Sequence, residues 1–355
     1  MEKRIKISVG VITYNQEATI RQTLDSILAQ KGDFDLEIVI GEDCGTDATY
    51  AICEEYVRTV KSEELRVKSE ELRTESQELK AKREVILLPN THNLGIMANF
   101  ARVMRACTGD YIGICAGDDY WCDERKLQKQ LDYFKAHEDV GVVSTSGYKL
   151  LVQKNELVPN AIAPMHPIED GDIKKFYFSP DYKGGVYAMP LSLLIKRNLM
   201  QYIDFDEFVK RGFSVEDYPM QAILAQHCKW GHINDLCVVY RVYKESATFI
   251  SFENPKYMLY HRGLANICRY LNELFPQDAC FTEEELQEQV FYKEFLLYLH
   301  RMEYKKAKQL ITDATAIANM PKVKQAKRFM KSWLHFVAAH YIKERAYRKD
   351  LQKRV

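Results

Sequence analysis

One segment limits the fold of this chain more than any other: residues 111–121, which read YIGICAGDDYW. A short apolar run bounded by Gly and turn residues is typical of a buried strand. Sheets in which strands alternate with helices bind their ligands at the carboxyl ends of the strands. Asp118 and Asp119 follow the run directly, so the segment predicts hard oxygen donors for Mg²⁺ or Mn²⁺ at such an edge. Taken alone, the same three letters, Gly-Asp-Asp, are also common in surface turns.

The composition is typical of a globular protein of 355 residues, with 46% hydrophobic and 28% charged residues. A formal net charge of zero gives no global positive field for nucleic acid. The nine cysteines form no Cys-x-x-Cys pair, which predicts reduced thiols rather than zinc ligands or disulfides. No apolar run approaches the ~18 residues of a membrane span, and no signal-peptide core follows Met1. We therefore expect a cytoplasmic protein.

Strand-like and helical patterns alternate through the first 250 residues. Residues 5–12 and 36–40 are apolar and β-branched, and each is followed by a helical pattern, the first of which Asn15 would cap. This alternation predicts an α/β fold with a mostly parallel, doubly wound sheet. Further strands are predicted near residues 85–88, 111–115, 140–145 and 191–195, with a strand, turn and strand over 230–243.

A seven-residue repeat interrupts this pattern. Residues 60–66, VKSEELR, recur as 67–73 and more loosely as 74–80. Each repeat carries one leucine on a narrow stripe, whereas a coiled coil needs two apolar positions per heptad. We interpret about 58–83 as a charged helical or partly disordered insert; a coiled-coil partner site is the alternative.

From about residue 251 the pattern is helical only. We therefore divide the chain into residues 1–250, the α/β domain, and residues 251–355, an α-helical region. The segment from 321 onward contains eleven Lys and Arg interspersed with apolar residues. Such a basic amphipathic helix would suit peripheral contact with the inner face of the cell membrane. The alternative is a docked terminal helix with a solvated basic face.

Carboxylates recur where predicted strands end or helices begin. Besides Asp118 and Asp119, these are Glu42, Asp43, Glu216 and Asp217, and the polar turn Thr13-Tyr14-Asn15 follows the first strand. In a doubly wound sheet these ends share one edge, so the groups would converge on one crevice. For Glu216 and Asp217, a favourable charge at a helix N-terminus is the alternative explanation.

The order of these motifs resembles that of the family 2 glycosyltransferases, inverting enzymes with the GT-A fold. The resemblance covers about residues 5–248 apart from the insert. Its motifs are ISVGVITYN at 7–15, LDSILAQ at 24–30, residues 37–47, Asn93-x-Gly95, Gly109-Asp110-Tyr111, residues 117–121, Glu216-Asp217 and Val239-Tyr240-Arg241.

The resemblance implies a role for each matching residue. Asp217 would be the catalytic base, and Asp119 with Asp118 would hold Mg²⁺ or Mn²⁺. The implied nucleotide-sugar-binding residues are Thr13, Tyr14, Asn15, Glu42, Asp43, Asn93, Gly95, Asp118 and Arg241. The residues expected on the acceptor side are Tyr120, Trp121 and Glu216.

Three positions depart from the usual family pattern. Ile12 stands where many members have proline, Gly45 replaces a serine, and Ala116 replaces an acid. The last change leaves one candidate metal ligand fewer. No Gln-x-x-Arg-Trp motif is present, which argues against a processive polymerase.

These observations favour an inverting transferase that moves a sugar from a nucleotide-diphosphate sugar, with UDP-sugars first, to a glycan or lipid-linked hydroxyl. The pathway implied is cell-surface polysaccharide synthesis. The alternative is an inactive GT-A domain that binds sugars or serves as a scaffold. A nucleotidyltransferase would need a basic, glycine-rich loop after the first strand to bind triphosphate. This chain has TYNQE there, with no glycine or lysine, which argues against that class of enzyme.

Overall fold

In a computed structural model of the chain, the described residues are 4–71, 81–160, 173–178, 188–243, 252–279 and 281–331. The strands are β1 (Lys6–Thr13), β2 (Asp35–Glu42), β3 (Arg83–Leu87), β4 (Tyr111–Ile114), β5 (Tyr120–Trp121), β6 (Val140–Leu151), β7 (Glu156–Asn160), β8 (Leu194–Lys196) and β9 (Lys229–Val242). The helices are α1 (Ile20–Leu28), α2 (Thr49–Glu71), α3 (Ile96–Ala106), α4 (Lys126–Ala136), α5 (Lys174–Tyr177), α6 (Phe205–Lys210), α7 (Asp217–His227), α8 (Tyr257–Leu274), α9 (Glu283–His300), α10 (Tyr304–Asp313) and α11 (Pro321–Lys331).

The strands form one sheet in the order β3-β2-β1-β4-β8-β6-β9-β5, with β7 paired to β6. The first four strands are parallel, as the alternation of strands and helices predicted. The short strand β8 runs antiparallel to both β4 and β6, and β6 is again parallel to β9. The α/β fold is therefore confirmed, and the sheet is mixed in its second half because β8 reverses direction between two strands.

Helices cover both faces of the sheet. Helices α1, α2 and α4 pack on one face through aliphatic side chains that include Leu24, Ile52 and Leu131. Helices α3, α7 and α8 cover the other face. In β2 the side chains of Ile38 and Val39 point to opposite faces and are both fully buried. Burial on both faces explains why the central strands are continuous apolar runs rather than alternating ones.

The prediction of a strand, turn and strand over 230–243 is wrong, because these residues form the single strand β9. Its pairing with β6 shifts between Thr145, which lies opposite Ile233, and Ser146, which lies opposite Leu236. The two extra residues of β9 form an irregularity in the ladder. One of them, Asp235, is exposed and pairs with Lys129 at 2.5 Å. In the sequence, polar residues of a bulge resemble those of a turn. Only the pairing with β6 shows that β9 continues beyond them.

Two residues of the Gly109-Asp110-Tyr111 motif hold β4 beside β1 at the amino edge of the sheet. The carboxylate of Asp110 accepts a hydrogen bond from the backbone N–H of Lys6 at 2.9 Å. A Cβ atom on Gly109 would lie 2.5 Å from the backbone nitrogen of Ser8, which is too close for any residue but glycine. This motif therefore has a structural role, remote from the carboxyl edge.

Helix α2 continues into the charged repeat without a break up to Glu71. Its first part packs on the sheet through Ile52, Cys53 and Val60, and the side chains at 61–63 are exposed. The described part of the insert is thus helical, which agrees with the interpretation of the repeat as a charged helical insert. Residues 72–80 lie outside the described ranges, and the coiled-coil alternative stays a hypothesis.

Helix α8 packs on the sheet domain, and α9 to α11 gather around a second hydrophobic cluster, to which Tyr257 at the start of α8 also belongs. In that cluster the rings of Phe295 and Phe329 meet edge to face at 5.5 Å. Helix α9 begins with a capping box, in which Thr282 and Glu285 bond each other's backbone N–H groups. The division near residue 250 stays a prediction, and the basic segment beyond 331 lies outside the described residues. Within the described ranges, no helix is long and apolar enough to cross a membrane.

Candidate active site

The loops after β1 and β2 are bound to each other at the carboxyl edge of the sheet. Asn15 has a left-handed backbone (φ 52°), and its side-chain oxygen accepts a hydrogen bond from the backbone N–H of Thr46 at 2.7 Å. The expectation that Asn15 caps α1 is therefore wrong: the residue before that helix is Thr19, which makes no side-chain capping bond. Tyr14, between the two loops and the solvent, is 48% exposed.

Glu42 and Asp43 are both buried, and their carboxylates organise backbone loops. Glu42 accepts hydrogen bonds from the N–H groups of Cys44 at 3.0 Å and of Gly45 at 2.7 Å. Asp43 accepts them from Leu94 at 2.7 Å and from Gly95 at 2.9 Å. The two acids therefore shape the loops of the predicted nucleotide site from within.

The structure brings Asn93 and Gly95 next to Asp43, as the motif order suggested. The Asn93 side-chain amide donates to the Asp43 carbonyl at 2.9 Å. Gly95 has a positive φ of 82°, a conformation that favours glycine, immediately before α3 begins. Ile96, the first residue of that helix, is exposed beside them.

Close backbone approach explains two glycines of this edge. A Cβ atom on Gly117 would lie 2.6 Å from the Thr13 hydroxyl oxygen. A Cβ atom on Gly45 would lie 2.6 Å from the side-chain oxygen of Asn15. The departure from the family's usual serine at position 45 therefore has a physical reason here, because the Asn15 side chain occupies the space that a serine would need.

Gly117, Asp118 and Asp119 form the acidic turn, which helix α1 holds in place. The Thr23 hydroxyl donates to the carbonyls of Gly117 at 3.0 Å and of Asp119 at 2.6 Å. Asp119 is only 3% exposed, and its carboxylate accepts a hydrogen bond from the backbone N–H of Arg241 at 2.8 Å. Burial, and next the charge of Asp118, raise the pKa of Asp119 well above its usual range. Burial also raises the pKa of Asp118.

Asp118 and Asp119 are the residues that would hold a divalent cation. Among the described residues, no group of three or more His, Cys, Asp and Glu side chains could hold a metal ion by itself. Mg²⁺ commonly takes one or two carboxylates and fills its remaining positions with water and substrate phosphates. Asp119 is buried and Asp118 is half-buried, and burial raises the pKa of both; they fit this kind of site, since a cation would stabilise their charged forms.

The side chain of Arg241 points into the protein and not toward open space. Its guanidinium donates to the Asp118 carbonyl and to the side-chain oxygen of Gln22, and it lies 4.8 Å from the centre of the Tyr120 ring. At 7% exposure it has little surface left for a ligand. The prediction that Arg241 reaches the diphosphate therefore needs correction, because its charge is used to brace the acidic turn.

Trp121 also takes a structural position. It is 4% exposed, and its indole N–H donates to the Leu191 carbonyl at 3.0 Å. The expectation that Trp121 lies on the acceptor side is therefore corrected, because β5 alternates and turns this side chain into the core. Its neighbour Tyr120 is half-buried and packs against Arg241.

Sequence reasoning missed a buried polar network beneath the acidic turn. The Lys126 ammonium lies 4.2 Å from the Trp121 ring centre and donates to the Gln130 side-chain oxygen at 2.9 Å. The Gln130 amide donates to the carbonyls of Val143 and Ser192. Burial lowers the pKa of Lys126 to about 8. The available signal was the spacing, since these two polar residues are one helical turn apart on the apolar face of α4.

Glu216 and Asp217, the acid pair, lie where helix α7 begins. One carboxylate oxygen of Asp217 accepts a hydrogen bond from the backbone N–H of Tyr218 at 2.7 Å. Both side chains are half-buried. Burial raises the pKa of both groups, and the charge of Asp217 raises that of Glu216 further.

Connectivity places the acid pair toward the same edge as the acidic turn. Helix α7 ends just before Lys229, which starts β9 opposite Val140 at the amino edge. An α-helix rises about 1.5 Å per residue, so the first turn of α7 lies about 16 Å from its C-terminal end, in the direction of the carboxyl edge. The Gln221 amide donates to the Ala188 carbonyl at 2.9 Å, in the segment that leads into β8 beside the carboxyl end of β4. In the described part of the chain, no hydrogen bond or ion pair joins the acid pair to the acidic turn.

A cavity of about 810 Å³ lies at the opposite, amino edge of the sheet, around Asp110, Lys196 and Phe205. It contains none of the predicted site residues. The chemistry of the carboxyl edge, with two groups of acids whose pKa values are raised by burial, identifies the candidate active site better than cavity size does.

Comparison with known proteins agrees with this assignment. The family model described as "Glycosyl transferase family 2" matches residues 8–185, which is half of the chain. The uncharacterized protein Rv1520 of Mycobacterium tuberculosis is 35% identical over 138 residues, 38% of this chain and 33% of that protein. The putative glycosyltransferase EpsE of Bacillus subtilis is 29% identical over 140 residues, 39% of this chain and 42% of its own. The aligned part thus spans about a third of the length of the first relative.

Among solved structures, residues 1–349 of S. aureus TarS in complex with UDP-GlcNAc align with a TM-score of 0.55 and 15% identity. The alignment covers 96% of this chain and 92% of the TarS chain. Identity this low shows a shared fold, here the GT-A fold that the motif order implied. With the family match over half of the sequence, the chain belongs to glycosyl transferase family 2, as its motifs predicted.

Proposed function

We propose that this protein is a glycosyltransferase that moves a sugar from a nucleotide-diphosphate sugar to a hydroxyl of a glycan or lipid-linked acceptor, with inversion. UDP-sugars are the first candidates for the donor. The observation that carries the proposal is the placement of two groups of buried or half-buried acids, the acidic turn and the acid pair, toward one edge of the sheet. The acidic turn suits a cation bound to the diphosphate of the donor, and the acid pair suits an acceptor hydroxyl. Cell-surface polysaccharide synthesis is the process we propose for it.

The nucleotide would lie across the loops after β1, β2 and β3. Tyr14 and Ile96 are both large, exposed side chains next to these loops, so they offer apolar surface to a base and ribose. Asp43 supports the site by fixing the loop that carries Asn93 and Gly95. Thr13, Asn15 and Glu42 act in the same indirect way, through the loop contacts described above.

Asp119 and Asp118 would hold Mg²⁺ or Mn²⁺ against the diphosphate. The ion, when bound, would neutralise the developing negative charge of the leaving group as a Lewis acid. Ala116 supplies no third acid, so we expect the nucleotide to contribute most of the remaining ligands. The metal affinity of the protein without nucleotide should therefore be weak.

Asp217 would take the proton of the acceptor hydroxyl. The acceptor oxygen forms a bond to the anomeric carbon while the bond from that carbon to the diphosphate oxygen breaks, and the electron pair leaves with the nucleotide. Attack from the face opposite the leaving group inverts the anomeric centre. A carboxylate whose pKa is raised toward neutral is a stronger base than an exposed one and is still ionised at cellular pH.

Membrane contact is a further part of the proposal. Within the described range, α11 carries four cations, at positions 322, 324, 327 and 328, and the sequence beyond them remains basic. Such a surface suits an anionic bilayer, where a lipid-linked acceptor would reside.

The test is a donor screen in two steps. Wild-type protein is titrated with UDP-GlcNAc, other UDP-sugars and GDP-sugars in the presence of Mg²⁺ or Mn²⁺, and nucleotide release is then measured. UDP-GlcNAc comes first because the TarS neighbour was solved with it. We expect Asp217→Asn to bind the donor without releasing nucleotide, and Asp119→Ala to lose metal-dependent binding. If wild-type protein binds no nucleotide sugar with either ion, the sugar-binding or scaffold alternative is favoured.

A further inference from the structure

Helix α8 lies outside the family match, yet it packs beside residues 211–216, the segment that leads into the acid pair. The Asn266 side-chain amide donates to the Arg211 carbonyl at 2.9 Å. One turn earlier, a Cβ atom on Gly263 would lie 2.6 Å from the Cβ of Ser214. Contacts at both positions show that the helix and the segment run side by side in opposite directions.

The spacing of these contacts predicts the next one. Positions 266, 263 and 260 are three residues apart and share one face of α8. The facing positions of the segment, 211 and 214, are also three residues apart, and the next step is 217. Tyr260 therefore lies beside Asp217, and its pKa, raised first by burial and then by the charge of Asp217, agrees with that position.

Gly263 makes this proximity feasible. Ser214 has its Cβ and its hydroxyl oxygen within 2.8 Å of where a side chain at 263 would begin. The Ser214 hydroxyl is buried and has no hydrogen-bond partner in the described ranges. A backbone approach this close brings the next turn of α8, with Tyr260, over the start of α7.

The Tyr260 hydroxyl is available to a ligand. The side chain is half-buried, and no hydrogen bond among the described residues engages its hydroxyl. Asp217 accepts the Tyr218 N–H with one of its two carboxylate oxygens. A hydrogen-bond donor and a carboxylate thus stand side by side where the proposed acceptor binds.

We propose that Tyr260 is an acceptor-positioning residue. Its hydroxyl donates to an oxygen next to the reacting hydroxyl of a polyhydroxylated acceptor, while the reacting hydroxyl donates to Asp217. The C-terminal helical region would thereby complete the acceptor side of the site and select acceptors with vicinal hydroxyls. This inference rests on the proposed function of Asp217.

The experiment compares two small alcohols as acceptors in place of the unidentified glycan. Glycerol carries a vicinal hydroxyl and propan-1-ol, with the same carbon count, does not. Each is added to enzyme, metal and the donor that gives nucleotide release, and the glycosylated alcohol is measured against the free sugar formed with water. This ratio is independent of the amount of folded enzyme.

For wild-type protein we expect a higher ratio with glycerol than with propan-1-ol. Tyr260→Phe keeps the ring, and it should lower the glycerol ratio about three- to tenfold while the propan-1-ol ratio and the hydrolysis rate stay within about twofold. The matched control is Tyr298→Phe, because that tyrosine also stands beside a carboxylate and donates to Glu294 at 2.7 Å. The control should change neither ratio.

Two outcomes would overturn the inference while leaving the proposed function intact. One is nucleotide release by wild-type protein with equal ratios for glycerol and propan-1-ol. The other is a glycerol ratio that Tyr260→Phe leaves unchanged, or that Tyr298→Phe lowers equally. Absence of nucleotide release from every donor would instead overturn the proposed function, and the inference with it.

Discussion

The backbone N–H of Arg241 donates to the carboxylate of Asp119 at 2.8 Å, across a separation of 122 residues in the sequence. The guanidinium of the same arginine donates to the carbonyl of Asp118. Strand β9 thus fixes both the backbone and one side chain of the acidic turn. Presentation of the candidate metal ligands depends on β9 as much as on the loop that carries them.

Replacement of Asp119 by asparagine should separate charge from structure. Asp119→Asn retains an oxygen that accepts from the Arg241 N–H, and it removes a carboxylate whose pKa is raised by burial. We expect a melting temperature equal to or above that of wild type, with loss of metal-dependent donor binding in calorimetry. A large fall in melting temperature would show instead that the negative charge itself stabilises the turn.

Arg241→Lys should destabilise the protein and weaken donor binding together, although Arg241 itself is turned away from the donor. Lysine cannot bridge the Asp118 carbonyl and the Gln22 side chain in the same geometry. We expect a loss of about 1–3 kcal/mol in the free energy of unfolding by urea denaturation.

Arg197→Lys is the matched control for that variant, because Arg197 is exposed and no side-chain hydrogen bond engages it among the described residues. It should change neither stability nor binding. Weaker donor binding by Arg241→Lys at unchanged stability would point to a direct diphosphate contact and contradict the bracing role.

The raised pKa of Asp217 should be visible in the pH dependence of turnover. The ionised carboxylate is the proposed base, so nucleotide release should increase with pH as the group loses its proton, above the ordinary aspartate value of about 3.9. Because Glu216 and Asp217 are adjacent, the apparent values would belong to the acid pair. Steady-state rates from about pH 4 upward would measure this limb, and a rate that is flat through that range would argue against Asp217 as the base.

The same shift has a consequence for stability, of the opposite sign to that of a salt-bridged aspartate. The folded state holds the proton more tightly than the unfolded state, so this contribution to stability is complete below the unfolded pKa and is lost as pH rises through the raised folded one. We expect the melting temperature of Asp217→Asn to exceed that of wild type increasingly from about pH 4 upward. A constant difference across pH would contradict the shift.

Gly263→Ala should destabilise the protein although alanine is the better helix former. The new Cβ would meet Ser214, which we expect to outweigh the gain of about 0.5–1 kcal/mol from helix propensity. Thermal denaturation of Gly263→Ala, Ser214→Gly and the double variant would form a cycle, in which removal of the Ser214 side chain should recover part of the loss. An additive cycle would contradict the close approach.

One heptad of the charged repeat should be dispensable. Deletion of residues 67–73 removes about two helical turns, and leaves residues 60–66 joined to the same kind of sequence. We expect unchanged stability and unchanged nucleotide release. Deletion of residues 54–60, of equal length, is the control and should impair folding because it removes the buried Val60. Loss of an oligomer on deletion of 67–73, seen by light scattering, would favour the coiled-coil alternative.

The sequence by itself determined the local elements and the positions of the acids along the chain. Apolar runs of the right length gave β1, β2 and β4, and Asp119 follows a strand because the run ends there. The capping box of α9 was readable because its two residues are only three positions apart. These features depend on interactions within a few residues, which a single sequence displays directly.

Only the tertiary structure decided which way the side chains at the edge point and which distant segments meet. Arg241 and Trp121 carry motif positions, yet the order of the strands turns both toward protein groups rather than ligands. Lys126 is buried because its ammonium contacts the Trp121 ring and donates to Gln130. Helix α8 approaches the acid pair because Gly263 has no side chain. The physical reason is that such contacts join residues far apart in the chain, and their geometry follows from how the sheet and its helices pack, which hydrophobic periodicity leaves open.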